Sequence, residues 1–225
     1  MLKIKVITLF PDMFQLHTQH LPIKKALESN LIDIEFINLR NYAIDKRGTV
    51  DSPAYGGGPG MILRPEPIYN AVTYALGGSK NTYILFLTPR GVTYKQQTAK
   101  KLSEAGEVIL VCGRYEGIDQ RVIDHFKTVY PDNTHELSIG DYVLSGGEVA
   151  AMAVIESVVR LIPGAIENQD ALTDESFNNN HLEHPQYARP EEWLGNKVPK
   201  ILISGHHKNI QKWKADKSAS IPLKD

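Results

Sequence analysis

The sequence predicts an α/β protein built on a parallel sheet, followed by a smaller, mostly helical unit. Three observations carry that expectation. Strand-like apolar runs alternate with runs of helical period, Gly-rich segments follow the strand ends, and beyond residue 162 the chain turns polar and proline-punctuated.

The strand-like runs are residues 3–10, 33–39, 82–88 and 107–112, dense in Ile, Val, Leu and Phe. Helical periodicity falls between and after them, at residues 19–29, 66–76, 94–105 and 117–126. Strand-helix-strand alternation favours parallel pairing, and a parallel sheet collects ligands at the carboxyl ends of its strands. The run VAAMAVIESVVRLI, residues 149–162, is apolar nearly all round and is interrupted by Glu156 and Arg160. It reads as a deeply buried helix, too short to span a bilayer. Residues 1–162 are therefore expected to form one domain, 163–177 a polar linker and 178–225 a small helical domain that ends in a basic helix.

Composition narrows the class. A chain of 225 residues with 42% hydrophobic and 23% charged content can bury a real core, and it is neither disordered nor membrane-like. A net charge of −1 excludes a surface coated in basic residues while leaving a local basic patch open. The single cysteine, Cys112, excludes an internal disulfide and sits in VILVCG, where a buried thiol is expected. The N-terminal MLKIKVITLF carries no cleavable signal pattern, and a cytoplasmic protein is expected.

Three Gly-punctuated segments lie near one edge of the expected sheet. PAYGGGPGM, residues 53–61, offers a mobile loop or a backbone platform for a flat or anionic ligand. GRYEGIDQR, residues 113–121, presents Tyr115 and Glu116 where a strand ends, unless it is a surface turn with an exposed ion pair. ELSIGDYVLSGGE, residues 136–148, is strand-like at Tyr142, Val143 and Leu144, yet Ser and Gly surround them. Together the three favour a pocket. Neither G-x-G-x-x-G nor a P-loop occurs, so an ordinary dinucleotide site and a nucleotide triphosphate loop are both disfavoured. His181, His184, His206 and His207 match no tight zinc spacing, no metal site is expected, and the absence of G-x-S-x-G argues against a serine hydrolase.

Taken in order, YGGGPGM, LTPRG, VCGRYEGIDQRV, SIGDYVLSGGE, RLIPG, HPQYARP and the ISGHH ending resemble the bacterial tRNA (guanine-N1) methyltransferases, which are knotted enzymes of the SPOUT class. The resemblance runs from about residue 1 to about residue 215. It implies a deep trefoil knot in the carboxyl half of the sheet, a homodimer with its site between subunits, and S-adenosyl-L-methionine as methyl donor. The loop of Phe86, Leu87 and Pro89 would hold that donor together with Gly113, Tyr115 and Glu116. Ser138, Ile139, Tyr142 and Leu144 would complete the site, with Gly140, Gly146 and Gly147 bare because chain and cofactor cross there.

The implied substrate is N1 of the guanosine immediately 3′ of the anticodon, with Gly58, Pro59 and Gly60 near the base. Lys208 and Lys212, with Lys214 and Lys217, would contact phosphates of the anticodon stem-loop unless they are only a solvated helix face. Arg160 would steady charge on guanine O6; its bland alternative is a helix C-terminal cation. The family carboxylate base aligns with Glu175 in TDESF, residues 173–177, and Asp174 is the rival one residue earlier. Two other readings stay open: a catalytically weak knotted RNA-binding module, and a methyltransferase that acts on another RNA.

Overall fold

The computed structural model of the chain describes residues 1–79, 81–168, 175–177 and 181–220. They form two compact units, Met1–Glu167 and Asn168–Asp225.

In the first unit β1 (Leu2–Thr8) leads through the short helices α1 (Gln15–Thr18) and α2 (Ile23–Glu28) to β2 (Ile32–Asn38). A small antiparallel hairpin follows, β3 (Asp51–Pro53) with β4 (Met61–Leu63), and then α3 (Pro65–Leu76). Next come β5 (Thr82–Thr93), α4 (Gln96–Ser103), β6 (Glu107–Cys112), α5 (Gln120–Val129), β7 (Thr134–Ser138) and α6 (Glu148–Val159). The central sheet has the order β2-β1-β6-β5-β7, and all its pairings are parallel.

Period-two alternation splits the strand side chains between two cores. Leu85 and Leu87 of β5 with Val108, Leu110 and Cys112 of β6 face α2, α4 and α6. Ile84 and Phe86 with Ile109 and Val111 face α3 and α5. Strands buried on both faces read as continuous apolar runs, which is why these were visible in the sequence. Each fully buried Ile or Phe contributes about 1.5–3 kcal/mol.

Several expectations need correction. The helix expected at 19–29 begins at Ile23, because Pro22 lacks an N–H and disfavours helix in the residue before it. The helix expected from Gly117 begins at Gln120, where the Asp119 carboxylate caps it by accepting from Arg121 N. β5 runs five residues beyond its expected end, and its register with β7 shifts between Leu87 and Val92. β7 was not anticipated: it is a short edge strand, THELS, whose polar residues carry no apolar alternation. Tyr142, Val143 and Leu144 form no strand and lie exposed.

The second unit holds two short antiparallel pairs, β8 (His181–Leu182) with β11 (Ala219–Ser220), and β9 (Glu192–Trp193) with β10 (Asn196–Lys197). Its helices are α7 (Lys200–Ile203) and the basic α8 (His207–Lys217). His184 and Tyr187 pack on Trp213 with ring centroids 6.0 Å and 6.3 Å away. Among the described residues no helix is long and apolar enough to cross a membrane.

Candidate functional site

The carboxyl ends of β5, β6 and β7 meet around a cleft of about 310 Å³. Its walls are three backbone runs, residues 87–90, 113–118 and 136–140, closed by residues 142–147 as the chain returns from β7. That return passes from the outer edge of the sheet to the end of β6, two strands inward. Gly147 N donates to Gly113 O at 2.8 Å, and Gly146 forms an antiparallel bridge with Arg114.

The crossing accounts for the missing side chains. A Cβ on Gly147 would stand 2.8 Å from Cys112 Cα and 3.0 Å from Gly113 N, and one on Gly146 would collide with the Arg114 guanidinium. Of the expected crossing of chain and cofactor, the contact between two stretches of the same chain is enough by itself to leave Gly146 and Gly147 without room for a side chain. Gly140 differs, since its φ of +148° is unfavourable for any residue with a Cβ. Ser138 stabilises that bend: its hydroxyl donates to Gly140 O at 3.1 Å and accepts from Gly140 N at 3.3 Å.

The 53–61 glycine segment is tied to the cleft from outside. Glu116 N donates to Met61 O at 2.9 Å, Leu63 N to Gly117 O at 2.9 Å, and Asp119 N to Leu63 O at 3.0 Å. The 54–60 loop is thereby anchored where Gly60 lies directly against the Glu116 side chain, while Gly58 and Pro59 are exposed and do not line the cleft.

Electrostatically the cleft is mixed. Glu116 and Glu136 stand on its walls with Arg90 and Arg114, and Lys127 binds Glu136 at 2.6 Å. Burial, then the nearby Glu148 carboxylate, push the Cys112 thiol well above its ordinary value, so the buried, inert thiol read from the sequence is what the geometry supports.

Of the expected donor-binding residues, Leu87, Pro89, Gly113, Tyr115, Glu116, Ser138, Ile139, Gly140, Tyr142, Leu144, Gly146 and Gly147 all line this cleft. Phe86 does not: strand alternation sends its ring into the core beside Phe126. Arg160 is the half-buried C-cap of α6 and is not on the cleft wall. Glu175 is half-buried in the second unit, and Asp174 lies outside the described residues. Lys208 and Lys212 are exposed on α8, where Lys214 is half-buried.

Sequence reasoning missed one group. It read Arg114 at most as half of an exposed local pair, whereas its partner is Glu148, fully buried and 34 positions away, with Nε and Oε2 2.8 Å apart. An acid behind two glycines at the start of an apolar helix was the available signal.

The cleft is bounded by backbone, with apolar surface from Leu87, Ile118 and Leu137 and both carboxylate and guanidinium side chains in its lining, the mixture of shape-giving apolar groups and a few polar ones that a small-molecule site needs. The chain is similar to known proteins over nearly its whole length. The family model described as tRNA (Guanine-1)-methyltransferase TrmD matches residues 2–222. A protein of Clostridium beijerinckii named tRNA (guanine-N(1)-)-methyltransferase is 46% identical over 223 residues, covering 99% of this chain and 90% of the relative. Proteins of the same name from Sulfurihydrogenibium sp. and Wolbachia pipientis subsp. Culex pipiens are each 46% identical. The first match covers 95% of this chain and 81% of that relative, the second 96% and 91%.

Proposed function

Because the chain belongs to the tRNA (Guanine-1)-methyltransferase TrmD family, it is a tRNA (guanine-N1) methyltransferase, and we propose that its donor is S-adenosyl-L-methionine and its target the guanosine immediately 3′ of the anticodon. The observation that carries the donor reading is the cleft itself, which gathers twelve of the thirteen expected donor-binding residues. The return of residues 139–147 to the end of β6 supports the trefoil knot that the resemblance implies.

When bound, the donor supplies a methyl group on a sulfonium sulfur, which keeps the bonding electrons as the methyl leaves. The residues of the chain do the rest. Guanine N1 carries a proton at neutral pH, so a carboxylate must accept it, and Glu175 has the aligned position with Asp174 as rival. Arg160 donates to O6, where negative charge gathers as the proton departs. Gly58, Pro59 and Gly60 border the base, and the α8 lysines meet phosphates of the stem.

Two observations support a homodimer. One face of α6 stays uncovered in the single chain: Val149, Ala153 and Glu156 are exposed and Met152 is half-buried, beside exposed Phe10, Met13 and Leu16. A second copy fits that apolar stripe. Arg160 also stands ten residues beyond Ala150, the α6 residue on the cleft wall, about 15 Å along the helix and farther than an arginine side chain reaches. Light scattering is expected to give the mass of two chains; a monomer at micromolar concentration would overturn the shared site.

The activity test is single-turnover methyl transfer to an unmodified tRNA transcript, followed by nucleoside analysis. The expected product is N1-methylguanosine, and a ribose methyl or no transfer would overturn the reading. Glu175→Gln and Arg160→Ala are each expected to slow the chemical step by roughly 10²–10⁴-fold with binding largely kept. If Asp174→Asn shows that loss instead of Glu175→Gln, the base is Asp174.

A further inference from the structure

The wall of the cleft formed by Gly113, Tyr115 and Glu116 hangs on a buried charge that no step above uses. Glu148 opens α6 with no exposed surface. A helix N-terminus favours a carboxylate, but a charge buried this deeply also needs a cation and hydrogen bonds. It has both. Oε2 lies 2.8 Å from Arg114 Nε, and Oε1 accepts from Thr8 Oγ1 at 2.7 Å. Thr8 Oγ1 in turn accepts from Phe10 N at 2.9 Å, so the end of β1 sets how the carboxylate is turned.

Arg114 is held along its whole length. Its guanidinium lies 4.5 Å from the Phe10 ring centroid, donates from Nη1 to Ser145 O at 3.3 Å, and fills the space that a side chain at Gly146 would need. The next residue, Tyr115, has a φ of +59°. A left-handed backbone is costly for a residue with a Cβ and persists only where its surroundings enforce it. Backbone bonds from Glu116 N to Met61 O and from Gly117 N to Arg114 O hold the far side of this turn, and Arg114, set between Glu148 and the returning chain, holds the near side.

We propose that Glu148 is a positioning residue: acting through Arg114, it holds residues 113–116 in the shape that receives the methyl donor. The proposal rests on the reading of the cleft as the donor site. Without the carboxylate, Arg114 is free to turn toward solvent and the wall samples other shapes.

The test compares Glu148→Gln, Arg114→Gln, the double variant and Thr8→Val by calorimetry with S-adenosylhomocysteine, alongside KM for donor and for tRNA. A wall in the receptive shape about one tenth of the time weakens apparent affinity about 10-fold. Glu148→Gln is therefore expected to raise the S-adenosylhomocysteine Kd and the donor KM about 10-fold, with the tRNA KM unchanged. Because both residues act through one contact, the double variant is expected to lose no more than the worse single variant. A pair serving stability alone lowers the melting temperature and leaves donor affinity intact in the folded protein. That result, or single losses that multiply in the double variant, overturns the proposal. Should Glu148→Gln fail to fold, Thr8→Val keeps the ion pair while freeing its orientation; it must weaken donor binding, and wild-type affinity there overturns the proposal too. A wild-type protein that binds no S-adenosylhomocysteine removes the donor-site reading and the proposal together, whereas normal wild-type binding with unaltered variants removes only the role of Glu148.

Discussion

Two glycine-rich loops, one anchored beside the cleft and one lining it, need glycine for opposite reasons. In the 54–60 loop, Gly56, Gly57 and Gly58 have φ of +90°, +79° and +112°, and a Cβ on any of them would meet nothing within 4 Å. At the chain crossing, Gly147 has an ordinary φ of −77° and no room for a Cβ at all. The first loop needs glycine for the path of its backbone and leaves open space beside it. The second needs glycine because two stretches of one chain touch. The same residue therefore marks a surface kept accessible in one place and a packed structural joint in the other.

That difference predicts unequal damage. Gly147→Ala pushes a methyl group into the backbone of Cys112 and Gly113, which strand pairing holds in place, and overpacking of this kind costs about 1–3 kcal/mol. Melting is expected to fall by roughly 2–4 °C per kcal/mol in a chain of this size, and donor binding to fall with it because Gly113 is a cleft wall. Gly57→Ala meets no atom and pays only for its left-handed backbone, about 1–2 kcal/mol before the exposed loop relaxes. It is expected to melt closer to wild type and to keep its S-adenosylhomocysteine affinity while losing tRNA methylation. If Gly57→Ala melts below Gly147→Ala, or loses donor binding, the distinction fails.

The same contrast explains what the sequence disclosed. β5 and β6 were legible because both faces of a buried parallel strand must be apolar, and the cleft loops were legible because glycine clusters are rare punctuation. β7 was hidden, since THELS owes its place to backbone pairing at a sheet edge and to Gly91, whose missing side chain lets β5 pass against Leu137. The reason for Gly146 and Gly147 was equally hidden: the crossing joins residues 112–114 to 146–148, and nothing local in either stretch announces the other. Glu148 shows the limit best, for its partners Thr8 and Arg114 are 140 and 34 positions away.

Asp119 ties the 113–118 wall of the cleft to β4 and carries the smallest of the expected effects. Its N–H is bonded to Leu63 of β4, and its carboxylate caps α5 by accepting from Arg121 N at 3.0 Å while receiving the Arg121 guanidinium at 2.9 Å and 2.8 Å. Asp119→Ala removes cap and ion pair together, at about 1 kcal/mol, or roughly 2–4 °C. Asp119→Asn keeps an acceptor for the cap and is expected to lose less than half as much, since the exposed Arg121 pair contributes little. The hydrogen bond from Arg121, with lesser help from the backbone, holds the Asp119 carboxyl below its usual value. A depressed folded value means that this stabilisation is fully present above the ordinary aspartate range, near pH 4, and is lost as pH falls through the folded value. The melting difference between wild type and Asp119→Ala should therefore be constant from pH 7 to about pH 5 and narrow below about pH 4. A difference that stays constant into strong acid would mean that the carboxylate charge plays no part and that the cap acts as a neutral acceptor alone.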